Sequence, residues 1–342
     1  MDPSRLHRGV FTWFERHARA LPWRVPNAGA WGVLVSEVML QQTPVARVLP
    51  VWQEWMTRWP SPAHLARASA ADVLRAWGRL GYPRRALRLQ QAAYHITTEY
   101  DGEVPDSVEA LRELPGVGEY TAAAVAAFAY RRRTVVLDTN VRRVLQRLVV
   151  GEALPPPTLT RGERDRAAEL LPPDPAQSAR WNAAVMELGA LVCTARAPAC
   201  TGCPVASHCA WLAAGRPKDK YAHRRRRQSW EGTDRQARGR LLAALRAHEH
   251  PVPAEDLAPV WTDAEQRRRA LATLVADGLA ELSPAGYHLP CAQDGEPNRA
   301  PEGSSATVPA DRPATSAGGG LAPSPESRPT AAPDGDSVGS RV

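Results

Sequence analysis

Leu114-Pro115-Gly116-Val117-Gly118 is the stretch on which the fold turns. Ahead of it, Asp106 to Glu113 reads as a short helix, with Asp106 as candidate N-cap and Glu109 as the matching acidic residue of its first turn. Behind it a second helix starts near Glu119. Glycine reaches backbone conformations closed to other residues, so Gly116 and Gly118 allow a tight hairpin whose N–H groups can approach a ligand. The partial positive charge at the start of the second helix makes the turn a ready phosphate site, with Leu114, Gly116, Val117 and Gly118 as candidate phosphate contacts. Ala122 to Ala127 gives that helix small side chains, so the two helices can pack closely. Taken alone, the segment reads equally well as a plain interhelical turn. The rest of the chain decides.

Working outward, helical periodicity recurs along residues 1–216. Leu6, Val10, Phe11 and Phe14 are spaced as one helical face, as are Val73, Leu74 and Trp77 within Ala71–Leu80. Ala30–Gln41 and Ala122–Tyr130 are further apolar helices, and sustained alternation is absent, so this region is expected to be all-α. Residues 217–236, with the run Arg224–Arg227, read as an exposed basic linker that either is merely solvated or touches phosphate. Residues 237–290 regain order: Leu241, Leu242 and Leu245 share one face, Leu271, Leu274 and Val275 another, and Gly278–Leu289 suits a short hairpin. Helices followed by a hairpin suggest a small winged-helix-like module. Residues 291–342 contain no aromatic side chain and are expected to be a disordered tail.

The formal net charge is +7 and the pI about 9.5, which favours a polyanionic partner. Of 43 basic residues, only Lys218 and Lys220 are lysines, which starves any mechanism that needs a lysine nucleophile. No apolar run approaches the roughly 18 residues of a membrane span, and the N-terminus does not read as a signal peptide, so a soluble, intracellular protein is expected.

Cys193, Cys200, Cys203 and Cys209 follow the spacing C-x6-C-x2-C-x5-C. Four thiols within one short loop point to a metal or cluster site. Structural zinc remains an alternative, although such sites usually pair two short Cys-x-x-Cys knuckles and only Cys200 and Cys203 form one here. The lopsided spacing resembles the iron–sulfur loop of the endonuclease III superfamily of DNA glycosylases, which implies a structural [4Fe–4S] cluster held by these four residues. Arg196 lies inside the loop, and His208 reads as a neighbour rather than a ligand. Bifunctional members of that superfamily place a Schiff-base lysine two residues after the hairpin. Tyr120 stands there in this chain, so hydrolysis without strand cleavage is expected.

Cleaving an N-glycosidic bond calls for an acid to protonate the leaving base and an anion to steady the sugar cation. Glu37, in Val33-Leu34-Val35-Ser36-Glu37-Val38-Met39-Leu40, has the apolar company that raises a carboxyl pKa, though it also reads as an ordinary exposed helix residue. Asp138, between Val135-Val136-Leu137 and the helix from Asn140, reads as an N-cap that would keep its charge.

With these features in place, Ser36–Thr43, the hairpin, Leu137–Val141 and the cysteine loop together resemble the MutY family of adenine DNA glycosylases over residues 5–212. The resemblance implies a helix-hairpin-helix glycosylase fold, a six-helix barrel domain plus an iron–sulfur cluster domain. It also implies a monomer, cytoplasmic and nucleoid-associated in a bacterium, that acts on double-stranded DNA containing a mispair. Its reaction would be removal of adenine opposite 8-oxoguanine or guanine after base flipping. By that resemblance Glu37 protonates adenine and assists water, Asp138 steadies or traps the sugar cation, and Tyr120 supports the site. Gln42 and Tyr82 would insert beside the opposite base, with Gln41 alongside and Thr43 contacting that base, while Trp23 and Arg24 line the adenine pocket. The chain departs from the family pattern at Pro83, at Ala183 beside Asn182, and in having no β-rich Nudix-like region within 237–289. A thymine- or uracil-mismatch glycosylase of the same superfamily is the alternative reading, and a non-catalytic DNA-binding protein a further one. Gln41-Gln42 favours adenine.

Overall fold

Helix α2 (Gly29–Leu40) is buried from Trp31 to Met39 without a polar stripe, as a helix enclosed on every side must be. It follows α1 (Pro3–His17), which turns Leu6, Val10 and Trp13 inward. In this computed structural model, which describes residues 2–224 and 230–290, α2 lies against α3 (Val45–Arg58), α6 (Arg84–Glu99) and α8 (Glu119–Tyr130), and α4 (Pro62–Ala66), α5 (Ala70–Trp77) and α7 (Val108–Glu113) share its core. Together α2 to α8 enclose one core, in which Trp55 meets Trp59 and Trp77 edge-on at 4.8 and 5.5 Å. Ala122, Ala123, Ala124, Ala126 and Ala127 of α8 are buried and let it lie directly against α2. Small side chains there are what bring Tyr120 up to Glu37.

A second core joins α1 to α9 (Thr139–Leu145), α10 (Arg161–Leu170) and α11 (Pro175–Leu191). Helix α9 runs on into a π-helical turn, Gln146–Val150, a wider winding often found beside functional groups. The cysteine loop packs on this core, ends in the short helix α12 (Ala210–Ala213), and lies so close to α1 that a Cβ on Gly9 would sit 3.1 Å from Pro204 O. Gly189 of α11 matters in the same way. A Cβ there would stand 2.7 Å from Asn140 Cβ, so only glycine lets α11 approach the start of α9 this closely.

The third core belongs to α13 (Asp234–Arg246), α14 (Ala264–Ala276) and the hairpin β1 (Glu281–Ser283)–β2 (Gly286–His288), whose register pairs Leu282 with Tyr287. Val252 bridges Tyr287 from the other side, against Gly286 at φ +128°. Leu241, Leu242, Leu245, Leu271 and Leu274 are buried as expected, but Val275 is exposed, lying just past the stripe that faces α13. The expected cap of α7 also shifts. Ser107, not Asp106, accepts from the Ala110 amide, while Asp106 pairs with Arg132. Most of the Arg224–Arg227 run and the expected tail at 291–342 lie outside the described residues. Among the described residues no helix is long and apolar enough to cross a membrane.

Candidate active site

The two helical cores face each other across a cleft of about 1750 Å³. Trp23, Arg24, Glu37, Gln41, Gln42, Thr43, Leu114, Gly116, Val117, Gly118, Tyr120 and Asp138 all line it, so residues drawn from the first 138 positions converge on one space. Tyr82 is outside this lining, 48 % exposed on the loop between α5 and α6.

Glu37 reaches the cleft from α2 while only 5 % exposed. Burial pushes its carboxyl up to about 7, Asp138 adding to the rise and the Tyr120 hydroxyl and Arg24 opposing it. Tyr120 donates to Glu37 Oε2 at 3.0 Å, and its own pKa is driven well above the usual phenol value by burial and the two carboxylates. It stays a neutral donor. Asp138 caps α9: Oδ1 accepts the Val141 amide at 2.6 Å and Oδ2 the Asn140 side chain at 2.8 Å. Burial nonetheless outweighs these bonds and leaves its pKa above the ordinary aspartate value. The cap alone does not set its charge.

The cap continues inward. Asn140 Oδ1 accepts from Arg143 at 2.7 Å, and Arg143 donates in turn to Gly189 O at 2.7 Å and Cys193 O at 2.8 Å. One turn on, Arg147 donates to Cys193 Sγ at 3.3 Å and Thr194 O at 2.7 Å, with its guanidinium over the Trp211 ring. A continuous set of hydrogen bonds therefore runs from the cysteine loop to Asp138. The four cysteines are free of disulfides and half-buried. Burial, with the other three thiols adding, raises the Cys203 thiol to about 11, which is the environment of thiols that ionise only beside a cation. Among the described residues no group of His, Cys, Asp or Glu is arranged to hold a single metal ion.

Gly116 sits at φ +81°, and a Cβ there would meet Arg88 Cβ at 2.9 Å. Gly118 precedes the first turn of α8 with open space in front of it, and Leu114 and Val117 are buried beneath, so the hairpin presents backbone to the cleft. Gln41 donates to Thr121 at 3.0 Å, and Gln42 is held at φ +56°. The Thr43 hydroxyl is turned inward, donating to Leu80 O at 3.2 Å and accepting from Arg85 at 3.0 Å. Trp23 is buried against Trp52 as well as lining the cleft, so packing and pocket roles coincide.

One residue of the site escapes a reading of the chain. Glu187 on α11 is a fully buried carboxylate, gripped by Arg19 through both oxygens and by Arg24 at 2.8 Å. Burial alone would raise its pKa, but the two arginines outweigh it and hold it at about 2. Its signal was an acid inside the apolar run Val185–Val192, the same cue that marks Glu37.

Residues 35–169 match the HhH-GPD superfamily of base excision DNA repair proteins. An adenine DNA glycosylase of Mycolicibacterium smegmatis is 51 % identical over 291 residues, 85 % of this chain and 97 % of that one. A thymine-DNA glycosylase of Aeropyrum pernix is 35 % identical over 207 residues, 60 % of this chain and 92 % of that one. The structure of a thermostable thymine-DNA glycosylase superposes with a TM-score of 0.56 at 23 % identity, covering 62 % of this chain and 97 % of that one, a likeness of fold.

Proposed function

Since the chain belongs to the MutY-type adenine DNA glycosylases of the HhH-GPD superfamily, we propose that it is a monofunctional hydrolase of base excision repair, releasing adenine mispaired with 8-oxoguanine or guanine. The observation that carries this reading is Glu37, a buried carboxyl whose pKa of about 7 leaves it half-protonated near neutrality, lining with Asp138 a cleft of about 1750 Å³ that has room for an extruded base. With adenine flipped into the cleft, Glu37 gives its proton to a ring nitrogen and draws electrons from the glycosidic bond. Tyr120 holds the Glu37 carboxyl in place through the process. As the bond lengthens, the sugar becomes cationic and the Asp138 carboxylate, fixed by Val141 and Asn140, steadies it. Glu37, now ionised, takes a proton from the attacking water.

The product keeps its strand intact, because no lysine lines the cleft among the described residues and Lys220 is tied to Glu152 elsewhere. Borohydride trapping of a covalent protein–DNA adduct in high yield would contradict this. Cys193, Cys200, Cys203 and Cys209 would hold a [4Fe–4S] cluster: four half-buried cysteines free of disulfides would bind it as thiolates, and the Arg147 guanidinium on Cys193 Sγ suits the net negative charge of a thiolate-ligated cluster. Such a cluster would supply a rigid cross-link for the loop. The hairpin would bind phosphate through its backbone, with Gln42 and Tyr82 entering beside the opposite base. Such a protein works as a monomer on nucleoid DNA in the cytoplasm.

Single-turnover assays on duplexes carrying adenine or thymine opposite guanine or 8-oxoguanine test this directly. Release of adenine from both pairs is expected; release of thymine alone would move the chain to the thymine-mismatch reading, with which it shares Tyr120, Asp138 and the cysteine loop.

A further inference from the structure

Residues 78–83 join α5 to α6 and carry Tyr82, and every backbone carbonyl from Gly78 to Tyr82 has a donor. Arg246 of α13 donates to Gly78 O at 2.6 Å, Arg47 to Arg79 O, and the Thr43 hydroxyl to Leu80 O at 3.2 Å. Trp77 and Arg85 share Gly81 O at 2.9 and 3.1 Å, and the Arg85 amide donates to Tyr82 O at 3.0 Å. Gly78, Gly81 and Tyr82 stand at φ +54°, +82° and +47°. For tyrosine that is an uncommon, strained conformation, which persists only where the surroundings over-determine it.

Part of that determination comes from a separate core. Arg246 belongs to the C-terminal module, and so does Asp277, which pairs with Arg84 at 3.2 Å just beyond the loop. Asp277 is itself fixed by Arg238. Leu74, on the helix that enters the loop, is buried in the module's core, and Arg75 donates to His248 O at 3.2 Å. The module thus grips both ends of the loop while Tyr82 stays exposed at its tip.

We propose that the C-terminal module is a clamp on the Tyr82 loop, with Arg246 and Asp277 as positioning residues that hold Tyr82 ready to meet the strand opposite the excised base. The module then contributes to mispair discrimination through the stiffness of the loop. This rests on the reading of Tyr82 as the residue that enters beside the opposite base.

A double-mutant cycle in the full, cluster-loaded chain tests it, using Tyr82→Ala, Arg246→Met and the pair. Two quantities are read: preference for an adenine·8-oxoguanine duplex over a matched adenine·thymine duplex, and fluorescence of 2-aminopurine placed beside the opposite base. Arg246→Met is expected to lower the preference about tenfold and alter the fluorescence, yet to add nothing once Tyr82 is alanine. Equal losses in both backgrounds would make Arg246 a plain structural residue and overturn the clamp. So would an unchanged preference in Arg246→Met while Tyr82→Ala loses it. If Tyr82→Ala changes neither quantity, the reading of Tyr82 fails and takes the clamp with it. Should Arg246→Met not fold, Arg84→Gln, which opens the Arg84–Asp277 pair and leaves the Arg238–Asp277 pair intact, is run through the same cycle with the same criteria.

Discussion

Glu37 carries a proton at a cost to the fold, and both sides of that bargain can be measured. Its folded pKa of about 7 lies above the ordinary 4.5, so the folded state binds a proton that the unfolded chain has released between those values. Stability from this group is present at low pH and lost as pH rises through about 7. Glu37→Gln should therefore abolish adenine release, leave mispair binding largely intact, and raise stability at pH 8 by about 2 kcal/mol. Calorimetry at pH 5 and pH 8 checks the last point: a gain equal at both would remove the buried charge as its cause. Excision by the unaltered protein should fall as pH rises past about 7, where Glu37 loses the proton it donates. It should also fall in acid, where Asp138 gains one. Glu37 was open to reading because apolar neighbours in sequence are also its neighbours in space on a buried helix. Glu187 had the same local cue, but Arg19 and Arg24 reach it from across more than 160 residues, and no spacing rule joins them.

Helices set how well those groups are aimed. Gly189→Ala would put a methyl group 2.7 Å from Asn140 Cβ, and α9 must shift to make room. Overpacking of this kind costs about 1–3 kcal/mol, and a displaced Asp138 should slow single-turnover excision about tenfold or more with little change in mispair affinity. An unchanged rate would mean that Asn140 does not position the carboxylate. Gly116→Ala acts at the other wall of the cleft. Strained at φ +81° and pressed on Arg88, it should weaken DNA binding about tenfold for matched and mispaired duplexes alike. The helices themselves were readable from periodicity, and their ends less so. At α7 two polar residues compete for the cap, and Asp106 loses to Ser107 because Arg132, distant in sequence, claims it.

Across the whole molecule the cysteine loop, the cap of α9 and the cleft form one mechanical unit through Arg143 and Arg147. Cys203→Ser should therefore lower the thermal midpoint by about 5 °C or more and reduce excision in the same preparation, even though no cysteine lines the cleft. Full activity in a protein shown by absorbance to lack iron would break that link. Chain-wide organisation was legible where local signals repeat, as in the hairpin, the cysteines and the leucines of α13 and α14. The grip of Arg246 and Asp277 on the Tyr82 loop was not, because tertiary capping of carbonyls leaves no trace in residue order. A last consequence comes from the cations that face the cleft. Arg88, Arg112, Arg131 and Arg180 line it, beside Arg19, Arg24 and Arg142, which Glu187 and Glu163 already pair, and no described lysine or histidine is among its lining residues. Guanidinium groups do not titrate in the physiological range, so the attraction for the DNA polyanion responds to ionic strength and hardly to acidity. Salt and pH become orthogonal handles on this molecule, one governing capture and the other bond cleavage.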